Sequence, residues 1–163
     1  DCIRGDETCA GDNHDALYTR DTGVITPKNL KDFVLVIGVN HQKTGKASYI
    51  NHSVYDLKKM AGIVAISDPG LTEASAIYHA GLDPQSWRAK LYKNVYAYMI
   101  SYDCSGRSFC LQIPAPTESD PIGLEPGSPF VVVGRSYLEP QSKVRPAASE
   151  LIIHQTVIGS SRP

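Results

Sequence analysis

The sequence predicts a mainly β fold of about seven short strands, arranged as a sandwich or partly closed barrel, with one short helix and an irregular N-terminal arm; α+β is the alternative. Three observations predict it. The apolar runs are short and rich in Val, Ile, Tyr and Phe. Thirteen glycines and eleven prolines punctuate the chain and set off these runs. Only one stretch carries both a helix start and a helix stop signal.

Residues 1–31 are polar and interrupted by Gly5, Gly11, Gly23 and Pro27, and read as an irregular arm. Residues 32–159 read as a single β-rich domain and 160–163 as a tail. Phe33 to Val39 is continuously apolar, the pattern of a strand buried on both faces. A turn at Gln42 to Lys46 and a second run from Ala47 to Tyr55 complete a predicted hairpin. Gly62 to Ile66 is a short strand ended by Asp68-Pro69-Gly70. Thr72 to Ala80 is the helix, with Thr72 as its N-cap and Gly81 as its stop. Asp83 to Arg88 reads as a turn. Asn94 to Cys104 alternates as a strand, and Ser108 to Ile113 is predicted to pair back across Ser105-Gly106-Arg107. A proline-rich loop spans 114–128. Pro129 to Tyr137 and Glu150 to Ile158 are the last strands.

At 163 residues the chain has room for one domain with its own core. Its net charge of −1 supplies no excess of Lys and Arg to meet phosphates, which argues against nucleic acid as a partner. The longest apolar run is far short of a transmembrane segment. The chain opens at Asp1, as a mature secreted form or an excised domain would. Its four cysteines fall into close pairs, Cys2 with Cys9 and Cys104 with Cys110. An even count in close pairs predicts two disulfides and an extracellular, periplasmic or organelle-lumenal setting. Of the three possible connectivities local pairing is the simplest, and the alternative tethers the N-terminal arm to the 104–110 hairpin. Each local bridge would contribute roughly 2–3 kcal/mol in the chain-entropy model. The rival reading, a zinc site using all four thiolates, fits the spacing less well, since zinc knuckles place their ligands closer together.

Several groups could carry chemistry. Arg4-Gly5-Asp6 lies between Cys2 and Cys9 and resembles the integrin-binding loop of disintegrin-like ligands, which implies adhesion. Asp6, Glu7, Asp12, Asn13 and Asp15 offer oxygen donors for Ca²⁺, without the spacing of an EF-hand. His14, His41 and His52, with Asp12 and Asp15, are the candidate ligands of a His-bound transition metal. Val36 to Ser48 is similar to a phosphate loop but lacks its first Gly and its hydroxyl after Lys46. Tyr96, Tyr98 and Tyr102 share one strand face, which either stacks on a ligand or packs into the core. Asn51-His52-Ser53 is an N-glycosylation sequon. No nucleophile elbow, zincin helix or dinucleotide fingerprint is present.

These features predict a secreted or lumenal, disulfide-stapled β-rich module that works by binding a protein or a glycan within an extracellular assembly, without catalysis. A metal-binding protein or metal-dependent enzyme is the alternative, and adhesion through Arg4-Gly5-Asp6 the third reading.

Overall fold

In the computed structural model, which describes residues 14–21, 23–59, 61–119 and 121–160, eight strands form two four-stranded sheets. The strands are β1 (Ala16–Thr19), β2 (Asp32–Val39), β3 (Ile50–Asp56), β4 (Ala61–Ser67), β5 (Val95–Ser101), β6 (Cys110–Gln112), β7 (Phe130–Tyr137) and β8 (Gln155–Ser160). One sheet runs β1-β7-β3-β4 and the other β6-β5-β2-β8, and they do not close into a barrel. The core lies between them. Val34, Val36, Tyr96 and Ile100 from one sheet meet Ile50, Val54, Phe130 and Val132 from the other. The mainly β reading therefore holds, as a sandwich.

Two predicted hairpins do not form. β2 and β3 lie in different sheets, so the turn at residues 41–45 carries the chain across the sandwich. Asn40 shapes this crossing. Its buried Oδ1 accepts the amides of Gln42 and Lys43, at 3.1 and 3.3 Å, and its Nδ2 donates to Thr72 at 3.0 Å. β6 lies parallel to β5, with Met99 opposite Cys110 and Ser101 opposite Gln112. Parallel neighbours ordinarily need a crossover of a dozen or more residues. Here residues 102–109 suffice, because Gly106 and Phe109 adopt positive φ and the Cys104–Cys110 disulfide clamps the loop.

The predicted arm contains a strand: β1 pairs antiparallel with β7, and Ile25 bridges Phe130. The C-terminal strand also begins later than predicted, since residues 151–154 are irregular and β8 extends to Ser160. The helix α1 (Asp68–His79) begins four residues before the predicted Thr72. Asp68-Pro69, read from sequence as a strand stop, is also a helix start, because a proline in the first turn lacks only an N–H that would have no partner within the helix. Asp68 itself is buried and accepts the Ile50 amide at 3.1 and 3.2 Å. Gly81, at φ +77°, ends the helix as expected. Leu71 and Ala74 seat α1 in the core, beside β4 and β5. The predicted turn forms over residues 83–86, with the Ser86 amide donating to the Asp83 carbonyl at 2.9 Å, and a second helix, α2 (Trp87–Tyr92), follows it, capped by Ser86 Oγ on the Ala89 amide at 3.2 Å. The long 114–128 loop is anchored by the fully buried Leu124, whose amide donates to the Pro114 carbonyl at 2.9 Å.

Candidate functional site

The polar centre of the fold lies between the sheets. Gly38 on β2 and Gly134 on β7 carry no Cβ and leave a gap there. The His154 ring fills part of it, 3.0 Å from where a Gly134 Cβ would stand. His52 on β3, directly opposite Gly134 in the ladder, stacks edge-on against His154 with ring centroids 4.5 Å apart. Tyr96 on β5 closes the group through a short hydrogen bond between its hydroxyl and His52 Nε2. His41 enters from the β2–β3 crossing. A cavity of about 20 Å³, room for a water molecule, is lined by these residues with Thr19 and Ser136.

The hydrogen bonds fix part of the protonation pattern. His41 Nε2 lies 3.1 Å from the Ile152 carbonyl, which can only accept, so Nε2 carries the proton. Burial holds His41, His52 and His154 below the ordinary histidine range. His154 also depresses His52, whereas the Asp21 carboxylate, 3.6 Å from His154 Nε2, works against the depression of His154. Burial likewise raises the Tyr96 hydroxyl far above its usual value. The cluster is neutral near pH 7. Among the described residues His52 Nδ1 and His154 Nε2 have no hydrogen-bond partner.

Of the predicted ligands, the structure brings His41 and His52 to one cavity and adds His154, which no sequence signal marked. His14 and Asp15 lie exposed at the turn before β1. Asp12 is outside the described residues. Among the described residues no group of three or more His, Cys, Asp or Glu side chains is placed to hold a metal ion. Cys2, Cys9, Arg4, Gly5 and Asp6 also lie outside the described residues, so of the two predicted disulfides the Cys104–Cys110 bridge is the one seen. Lys46, the cation of the phosphate-loop-like stretch, is engaged by Glu139 at 3.1 Å and Glu150 at 3.3 Å.

The predicted tyrosine row faces inward. Tyr96 and Tyr102 are 2% and 7% exposed, and Tyr98 packs partly buried against the core. Tyr102 donates to the Glu125 carbonyl at 3.1 Å, and burial pushes its hydroxyl up to about 12. A different set of tyrosines reaches solvent, on the outer face of the β1-β7-β3-β4 sheet. There Arg135 of β7 lies between the rings of Tyr18 and Tyr55, with its guanidinium carbon 5.2 and 5.3 Å from their centroids. It donates to Ser53 Oγ at 3.0 Å, to Asn51 Oδ1 at 3.4 Å and to the Tyr55 hydroxyl. Tyr49 and Tyr137 meet edge-to-face beside it. The sequon residue Asn51 is thus mid-strand and 8% exposed, its amide held between Arg135 and Tyr49.

The outer face of the other sheet is of the opposite character. Val34 and Val36 point inward, so their neighbours on β2 point out. Ladder partners share a face, which sets Leu35 with Met99 and Val157, and Ile37 with Ala97 and the polar Gln155 at its rim. Ile37 is 39% and Val157 50% exposed, and no charged side chain interrupts the group. The two-sided apolar pattern read from β2 is present, but no described helix or strand covers this side.

The fold and these surfaces define a two-sheet β-sandwich with a neutral histidine–tyrosine centre and two contrasting outer faces. No family model matches the sequence, and no curated protein or solved structure matches it either. Among the described residues no helix is long and apolar enough to cross a membrane.

Proposed function

We propose that this chain is a non-catalytic structural module of an assembly in an oxidising compartment, and that it associates with a second copy of itself through the apolar outer face of the β6-β5-β2-β8 sheet. The observation that carries this reading is β2, apolar on both sides, whose inward Val34 and Val36 are buried while outward Leu35 is half-buried and Ile37 exposed. Sandwich sheets ordinarily present alternating polar residues to water. A contiguous apolar patch is the usual mark of an interface. Its lack of charge suits another uncharged face, and a net charge of −1 sets little repulsion between two copies. The neighbouring edge strand β8 carries no charge and no proline, the devices that normally discourage association. The Cys104–Cys110 disulfide supports an extracellular, periplasmic or lumenal setting.

Sedimentation equilibrium from micromolar to submillimolar concentration tests the reading. The expected result is a reversible dimer or larger oligomer that Ile37→Lys and Val157→Lys convert to monomer without lowering the melting temperature. A wild-type chain that stays monomeric throughout, or variants that associate unchanged, would overturn it.

A further inference from the structure

On the opposite face of the sandwich, Arg135 has no anionic partner among the described residues: no carboxylate lies within ion-pair distance. A guanidinium has five N–H donors in a fixed planar fork. Three of those of Arg135 go to neutral oxygens, on Asn51, Ser53 and Tyr55. Two donors remain. The Tyr18 and Tyr55 rings lie against the guanidinium and hold its orientation, so a ligand meets a preorganised group and loses little side-chain entropy on binding. Beside it, Tyr18 and Tyr49 are 39% and 38% exposed and offer apolar ring surface with a polar tip.

We propose that Arg135, stacked on Tyr18 and sharing a sheet face with the exposed Tyr49, binds the carboxylate of an acidic saccharide, with a uronate unit as the recognised group. The planar fork matches a carboxylate through paired N–H···O bonds. The exposed tyrosine rings stack on the C–H faces of the adjoining sugar rings. A neutral sugar would meet the rings but leave the two donors without a charged acceptor. This site is independent of the self-association face, which lies on the other sheet.

The test is titration calorimetry with a uronate trisaccharide, its fully methyl-esterified form, and a sulfated oligosaccharide of similar length. Esterification keeps the rings and removes the charge. The acid form should bind, and the ester should bind at least about tenfold more weakly, the effect expected when charge-assisted hydrogen bonds are lost. Arg135→Lys, which keeps the charge but not the fork, should weaken acid binding by about tenfold or more. Tyr18→Ala, a change at a surface position, should weaken it severalfold. Equal binding of acid and ester would overturn the proposal, and so would tighter binding of the sulfated sugar or no binding of the acid at millimolar concentration. The ester comparison uses the unmodified chain, so it stands even if Arg135→Lys fails to fold.

Discussion

Lowering the pH from about 7.5 to about 5.5 is expected to destabilise the fold by at least about 1.4 kcal/mol through its interior histidines. His52 and His154 are 4% and 3% exposed, and burial is the first cause of the depression of both. In the unfolded chain a histidine titrates near about 6.5. Below that value the unfolded state takes up protons that the folded state refuses. The stabilisation is therefore complete above about pH 6.5 and is lost as the pH falls toward the folded value. For one group that stays neutral in the folded state, the loss over this interval is about 1.4 kcal/mol. His52 meets that condition, since both desolvation and neighbouring His154 oppose its charge. His154 contributes less because Asp21 attracts its proton, and His41 less because the Ile152 carbonyl does the same. Asp32, Asp103, Glu139 and Glu150 are held low by hydrogen bonds, and their loss falls at more acid pH. Asp68 is raised by burial and works in the opposite sense. Urea unfolding followed by circular dichroism at the two pH values reads the difference directly. The double variant His52→Gln, His154→Gln should flatten most of it. Equal unfolding free energies for the wild-type chain at the two pH values would refute the argument.

Three further changes probe the same architecture, each read by chemical denaturation. Tyr96→Phe removes the hydroxyl bonded to His52 Nε2 and leaves a buried nitrogen unpaired, at an expected cost of about 1–3 kcal/mol. Gly134→Ala would place a methyl 2.6 Å from Thr19 Oγ1 and 3.0 Å from the His154 ring, and should cost about 1–3 kcal/mol by overpacking. Cys104→Ser with Cys110→Ser opens the small ring that returns the chain parallel to β5, and should cost about 2 kcal/mol on the chain-entropy estimate. A midpoint unchanged by any of these would remove the corresponding contact from the account.

Strands with dense β-branched content were legible in the sequence. Phe130-Val-Val-Val133 and Phe33 to Val39 became β7 and β2 with ends displaced by a residue or less. β1 was not, because Ala-Leu-Tyr-Thr is too short and too ordinary to stand out from the polar arm. Nor was the pairing. Alternation assigns the two faces of a strand but not its neighbour, so local hairpins were expected where the chain in fact crosses between sheets or turns back parallel. The same limit hid the functional surfaces. His154 stands alone in sequence and becomes informative only when β8 brings it over Gly134 and beside His52. Arg135 did carry a signal: it alternates with Tyr137 on one strand, as Tyr49, Asn51, Ser53 and Tyr55 alternate across the other. Reading those two rows as facing each other needed the β3–β7 register.

That register explains why the sandwich keeps a polar group where an apolar one would be less demanding. An aliphatic interior between β3 and β7 would tolerate a slip, since Val131, Val132 and Val133 offer similar side chains to either face. The histidine does not. A slip of β3 by one residue would turn His52 into solvent and bring Asn51 against the Gly134 gap, breaking the contact with Tyr96 and the bonds from Arg135 together. The inner cluster and the outer Arg135 stack thus depend on the same strand pairing from opposite sides of one sheet. Gly38 and Gly134 make that dependence physical, because a Cβ at Gly38 would stand 2.8 Å from the Tyr96 ring and one at Gly134 3.0 Å from the His154 ring. The two ring nitrogens left unpaired among the described residues are the cost of this arrangement. Burial of the two rings is what ties its stability to pH.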